Sequence, residues 1–164
     1  MTIHITLREA KPGELDALEA LVKAAYREFQ PLFPENIWRA WMDNVGRTVH
    51  AAEGVALVAE VEGRLAGVVK FYADASRSAM GTWPPGAAMR VLAVHPDFRG
   101  RGIGTRLTEE CLRQARKLNI RTVFLYTGEF MHAARHIYEK LGFKRVPELD
   151  RSPGPIAYRL DFKA

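Results

Sequence analysis

Between residues 99 and 105 the chain reads RGRGIGT, so glycines at 100, 102 and 104 alternate with Arg99, Arg101 and Ile103. Alternate glycines remove the side chains that keep a ligand away from the backbone. Where a helix starts, unpaired first-turn N–H groups and roughly half a positive charge face outward, which suits a phosphate. Arg99 and Arg101 add full charges to that cradle. Tyr138 lies in the run ARHIYEKLGF at 134–143, an amphipathic stretch on which a packed tyrosine is the ordinary reading. The candidates for accepting a proton are Asp74, Glu129, His132 or a water chain, and nothing in the surrounding sequence singles one out. His95 beside Pro96 reads as strand termination, and Cys111 as a small core residue. One cysteine excludes a disulfide within the chain and argues against a metal cluster, so no metal is expected.

The elements that must position these residues follow from periodicity. Residues 89–94 (MRVLAV) are apolar apart from Arg90 and are closed by His95-Pro96-Asp97, which predicts a buried strand. After the loop, Ile103, Leu107, Cys111, Ala115 and Leu118 recur at steps of four, four, four and three, the stripe of a helix packed on a sheet. Spacing then separates the known glycine loops. A dinucleotide fingerprint starting at Gly100 needs a glycine where Thr105 stands, and a phosphate-binding loop of the Gly-Lys-Ser/Thr type finds no such triplet. The pattern that fits is [Gln/Arg]-x-x-Gly-x-[Gly/Ala], as Arg99, Gly102 and Gly104, directly after a strand ending Leu92-Ala93-Val94.

Earlier in the chain, Ile3, Ile5 and Leu7 alternate with polar residues and predict a half-buried strand. Pro12-Gly13-Glu14 opens a helix whose Leu15, Leu18, Val22, Ala25 and Phe29 form one face until Pro31. A shorter helix runs from Pro34 to about Val45 and carries Trp38 and Trp41 near Phe29, Phe33 and Met42. Residues 55–61 and 65–72 read as strands joined by Glu62-Gly63-Arg64, an antiparallel hairpin. Residues 74–86 form a polar, then proline-rich loop. Residues 122–127 predict a strand that a right-handed crossover sets parallel to 89–94. Residues 131–141 predict a helix capped by Gly142, and 144–146 and 156–162 two short closing strands around a turn-rich stretch.

The length of 164 residues and 48% hydrophobic content predict one domain over residues 1–164. The N-terminus lacks a basic head with a long apolar run, and no window reaches 18 apolar residues, so the expectation is a soluble, unprocessed cytoplasmic protein without membrane partners. The net charge of +5 is uneven: residues 1–82 hold 9 basic and 11 acidic side chains, and 83–164 hold 15 and 8. Residues 99–121 alone hold seven basic and two acidic. Such a field draws a polyanion. A nucleic-acid-binding module is the alternative, but the stripe lacks the interleaved aromatics of a stacking platform, and no nucleic-acid partner is expected.

With the loop motif after its strand, and A-x-x-[LI]-Y-x-x-x-G-F matched by Ala134, Ile137, Tyr138, Gly142 and Phe143, the chain resembles the GCN5-related N-acetyltransferase (GNAT) superfamily. The resemblance covers nearly the whole chain. It implies an α/β (α+β) fold in the order β-α-α-β-β-β-α-β-α-β-β, a single mixed, mostly antiparallel central sheet flanked by helices, with a splayed parallel strand pair. It implies acetyl-coenzyme A as co-substrate and a primary amine of a small molecule, peptide or protein as acceptor. The site residues it implies are Leu92, Ala93 and Val94 along the pantetheine, Arg99, Gly100, Arg101, Gly102, Ile103, Gly104 and Thr105 around the pyrophosphate, Ala134 beside the coenzyme, and Tyr138 as general acid. The first two helices would form a lip of the acceptor groove, which makes the Trp38–Trp41 patch the candidate for acceptor choice. Two departures stand out: no acid on the strand 87–94, where many members carry a glutamate, and Met131 where many carry an asparagine. The missing glutamate prompts a second reading, a coenzyme A sensor without catalysis. Sheet edges leave monomer and homodimer both open.

Overall fold

The structure is a computed structural model that describes residues 3–80, 82–151 and 153–163. Gly81 in the 74–86 loop, Ser152 in the turn-rich stretch, and residues 1, 2 and 164 lie outside the described residues. The elements are β1 (Ile5–Glu9), α1 (Leu15–Tyr26), α2 (Glu35–His50), β2 (Val55–Val61), β3 (Arg64–Tyr72), β4 (Ala87–Val94), α3 (Ile103–Lys117), β5 (Thr122–Thr127), α4 (His132–Leu141), β6 (Lys144–Arg145) and β7 (Ile156–Asp161). They reproduce the expected order. The sheet has seven strands in the order β1-β2-β3-β4-β5-β7-β6.

The chain divides into two compact units, residues 1–70 with 91–107, and residues 71–90 with 108–164. In the first, β1 runs antiparallel to β2, with Ile5 opposite Val61 and Glu9 opposite Leu57. The β2–β3 turn needs only Glu62 and Gly63, at φ 51° and 77°, the left-handed pair that a two-residue hairpin demands, so β3 begins one residue earlier than the pattern suggested. Leu18, Val22, Val45 and Val58 are fully or nearly fully buried in this unit.

Two helix ends depart from expectation for reasons that lie outside the local sequence. α1 stops at Tyr26, and a tighter 3₁₀ helix, Arg27–Leu32, carries Phe29 and contains Pro31. Proline has no N–H for the helical ladder, and the tighter turn accommodates it. α2 continues five residues past Val45, because the buried Lys70 of β3 donates to the carbonyls of Thr48 (2.9 Å) and Ala51 (2.8 Å) and completes the helix end. Ile3 is 39% exposed and precedes β1.

In the second unit β4 pairs parallel with β5 through residues 87–89 opposite 123–125, and β5 pairs antiparallel with β7 along its whole length. β6 closes the edge of β7. The core gathers Tyr72, Trp83, Phe124 and Ala157, with Trp83 stacked on Phe124 at 5.0 Å between ring centroids. Along α3 the predicted stripe is buried at Ile103, Leu107, Cys111 and Ala115, whereas Leu118, just past the helix, is 56% exposed. Burial pushes the Cys111 thiol well above its usual pKa, as a core role requires.

Candidate active site

The strand-loop-helix of the first unit is built around one unusual residue. Val91, in the middle of β4, has φ 53°, a region that a β-branched side chain enters only when its surroundings hold it there. A left-handed residue inside a strand twists it and re-aims the groups that follow. Beyond it, His95 donates its N–H to the Ala66 carbonyl of β3 at 2.8 Å. Alternation along the strand therefore turns the Leu92 and Val94 peptide groups to the opposite edge. On that edge the Leu92 carbonyl accepts a hydrogen bond from the Tyr26 hydroxyl at 2.9 Å.

After Val94 a short 3₁₀ turn, Pro96–Phe98, leads into the glycine loop. Gly100 and Gly102 both sit at φ 76°, and a Cβ added at either would meet nothing within 4 Å. Glycine is needed there for the backbone angle, and the space beside it is open. α3 begins at once, its first helical bond running from Arg106 N–H to Gly102 O at 3.0 Å. The amides of Ile103, Gly104 and Thr105 thus belong to the first turn of α3.

The two flanking arginines have different surroundings. Arg99 Nη2 donates to the Ala25 carbonyl at 2.9 Å and Nη1 reaches Glu28 at 3.4 Å, so its guanidinium ties the loop to the end of α1. Arg101 lies over the Phe98 ring at 5.3 Å, with Arg64 over the same ring at 4.8 Å. Arg101 and Arg106 are exposed.

Tyr138 and Ala134 lie on α4, in the second unit. Tyr138 is 5% exposed, with Phe143 edge-on at 5.6 Å and the Tyr158 ring at 6.2 Å. Gly142 ends the helix at φ 104°, and the Phe143 N–H returns to the Tyr138 carbonyl at 2.9 Å. The Tyr-x-x-x-Gly-Phe spacing therefore has a mechanical meaning: the left-handed cap folds Phe143 back onto the tyrosine. Nearby, Tyr158 donates to Glu139 at 2.5 Å and accepts from Arg135 at 3.0 Å.

The three proton-acceptor candidates also belong to the second unit. The exposed Asp74 carboxylate accepts from the Ser76 hydroxyl (2.7 Å) and N–H (3.0 Å), bonds that hold it below the usual carboxylate range and weaken it as a base. Glu129 and His132 are exposed. Thr127 Oγ1 lies 3.7 Å from the Met131 sulfur, at the position of the second departure. Among the described residues no group of three or more His, Cys, Asp or Glu side chains is arranged to hold a metal.

Sequence reasoning missed three residues in the first unit. Tyr26 offered no signal, since a tyrosine on a helical stripe is indistinguishable from core. Val91 offered none either. Gly67, inside β3, was visible as a glycine in a strand. A Cβ there would stand 2.8 Å from Ile103 Cγ2 and 3.2 Å from the Ala93 carbonyl, so its absence lets α3 lie close to the strand.

A family model described as "Acetyltransferase (GNAT) family" matches residues 15–143. The chain is 31% identical over 140 residues to the uncharacterized N-acetyltransferase MJ1207 of Methanocaldococcus jannaschii, covering 85% of this chain and 60% of that protein. It is 29% identical over 144 residues to the mycothiol acetyltransferase of Saccharomonospora viridis, covering 87% of this chain and 46% of that one. The chain thus spans 60% and 46% of the length of these two relatives, less than two thirds of each. The crystal structure of PaiA N-acetyltransferase from Thermoplasma acidophilum, in complex with coenzyme A, superposes with a TM-score of 0.75 at 17% identity over 97% of this chain and 99% of that one, a likeness of fold. With the strand, glycine loop and tyrosine helix all falling within the matched segment, the chain belongs to the acetyltransferase (GNAT) family.

Proposed function

We propose that the chain is an acetyl-coenzyme A dependent N-acetyltransferase acting on a primary amine of a small molecule or peptide, within a single catalytic domain that works in the cytoplasm as a monomer or homodimer. The observation that carries this reading is the left-handed Val91 in β4 followed by an open glycine loop at the start of α3. Those features suit a ligand that has an extended arm and a diphosphate. Backbone amides of the loop and first turn, Gly100 to Thr105, would hold the diphosphate, with Arg101 adding charge and Arg99 fixing the loop through Ala25. The edge of β4 at Leu92, Ala93 and Val94 would hold the arm as an added strand would, and direct an N–H at the thioester oxygen. Ala134, on the same helix as Tyr138, would lie beside the coenzyme.

Acetyl-coenzyme A, as co-substrate, supplies the thioester. With both substrates bound, the amine nitrogen attacks the carbonyl carbon, the C–N bond forms and the C–S bond breaks. Tyr138 is proposed to give its proton to the departing thiolate, and the proton lost by the amine passes to solvent. Release of free thiol from acetyl-coenzyme A in the presence of an amine panel tests this reading. Turnover with at least one primary amine is expected. Coenzyme binding without turnover across the panel favours a sensor, and absence of coenzyme binding contradicts the reading altogether.

A further inference from the structure

Four rings gather where α1 meets α2. Tyr26 and Trp41 stack at 5.2 Å, Trp38 meets Trp41 edge-on at 5.4 Å, and Phe33 tilts against Trp41 at 5.4 Å. Phe33, Trp38 and Trp41 are only half-buried, and beside them Leu32 and Ile37 are 60% and 49% exposed. Edge and stacked contacts hold such rings in fixed orientations while leaving apolar surface available. The cluster is not remote from the strand: the Tyr26 hydroxyl is bonded to the Leu92 carbonyl.

Charge on these elements speaks against a polycation. Glu28 faces Arg99 at 3.4 Å and Glu35 is paired with Arg39 at 2.9 Å. Asp43 is two residues past Trp41, about 200° around the helix and so on the other side. The net charge of +5 adds a repulsive background.

The chemistry adds a second constraint. β4 carries no acid, and the His95 Nδ1 lone pair accepts from the Asp97 N–H at 3.1 Å. With no acid on β4 itself to take the amine's proton, an acceptor that is already partly neutral in solution is favoured. At pH 7 an ordinary alkylamine, with a pKa of about 10.4, is neutral in roughly 0.04% of molecules. An α-amine, at about 7.7–8.0, is neutral in roughly 9–17%.

Resting on the acetyltransferase reading above, we propose that the acceptor is the α-amine of an aminoacyl amide with an aromatic or branched apolar side chain, seated on Phe33, Trp38 and Trp41. The neutral nitrogen attacks the thioester carbon, the amide forms as the C–S bond breaks, and the ammonium proton goes to water. The same chemistry is offered by a small amino-acid amide and by a peptide N-terminus.

The test is thiol release at pH 7 with glycinamide, phenylalaninamide, phenethylamine, spermidine and a phenylalanine-initiated tetrapeptide, alongside calorimetry with coenzyme A. Phenylalaninamide is expected to exceed glycinamide, phenethylamine and spermidine in kcat/KM by at least ~10-fold each. Faster turnover of the tetrapeptide than of the amide assigns the source to a peptide end, and the reverse to a small molecule. Trp38→Leu is expected to lower the phenylalaninamide-to-glycinamide ratio at least ~5-fold with coenzyme affinity retained, and Trp38→Phe to restore most of it. Glycinamide, phenethylamine or spermidine matching phenylalaninamide overturns the proposal and leaves the acetyltransferase reading standing. Turnover of none of these amines overturns both.

Discussion

Tyr138 and Tyr26 are both tyrosines on helical stripes, yet they sit among different neighbours. Tyr138 is wrapped by Phe143 through the Gly142 cap, which holds its ring in one orientation on α4. Removing only its hydroxyl leaves that packing in place, so Tyr138→Phe is expected to lower kcat by about 10²-fold or more while coenzyme affinity stays unchanged. Full turnover in that variant, measured by thiol release, removes the proton-donor role. Tyr26 instead holds a backbone carbonyl on β4. Tyr26→Phe keeps a ring to stack on Trp41 and loses the grip on Leu92. A several-fold fall in kcat with a melting temperature within a few degrees of wild type is the expected result, and an unchanged kcat contradicts it.

At the scale of elements, the closeness of α3 to β3 depends on a missing side chain. Gly67→Val places carbon within 2.8 Å of Ile103 Cγ2, and overpacking of this kind costs roughly 1–3 kcal/mol, a fall in Tm of several degrees for a chain of this length. Thermal melting of the variant checks it. Elements with a strong period were readable from the sequence: β5 spans the predicted residues, and α3 and α4 lie within one residue of theirs at each end. The ends that were misread depend on distant residues. Lys70 lengthens α2 from a strand twenty residues on, and nothing within α2 announces it. The glycine loop was readable because only glycine tolerates φ 76° so freely. Val91 was not, because its strained angle is imposed by its surroundings and not by its type. Arg99 had the right position for an anion site, but its side-chain bonds to Ala25 and Glu28 come from α1 and its continuation, more than seventy residues earlier.

For the molecule as a whole, charge has two consequences. Arg8 grips both oxygens of Glu14 at 2.8 and 2.9 Å and reaches Glu60 at 2.9 Å, joining β1, the turn after it and β2. The Arg8 bonds, with help from the Lys11 N–H, lower the Glu14 pKa from 4.5 to about 2. A carboxylate depressed in the folded state contributes stability that is complete above pH 4.5 and is lost as pH falls toward 2. Glu14→Gln is therefore expected to be less stable than wild type at pH 7, by about 1 kcal/mol after allowance for solvent screening, with the gap closing between pH 4.5 and 2. Melting curves across that range decide it, and a gap that persists at pH 2 contradicts the assignment.

The second consequence concerns the basic field of residues 99–121 and the open loop inside it. The loop is proposed to hold the diphosphate of coenzyme A, and calorimetric titration of coenzyme A into wild type and Gly102→Trp is the decisive measurement. Gly102 faces open space, so the indole fills the cradle at the cost of a strained angle but without displacing core. A loss of affinity of at least ~10-fold is expected in a variant that still melts cooperatively. Unchanged affinity in that folded variant contradicts it.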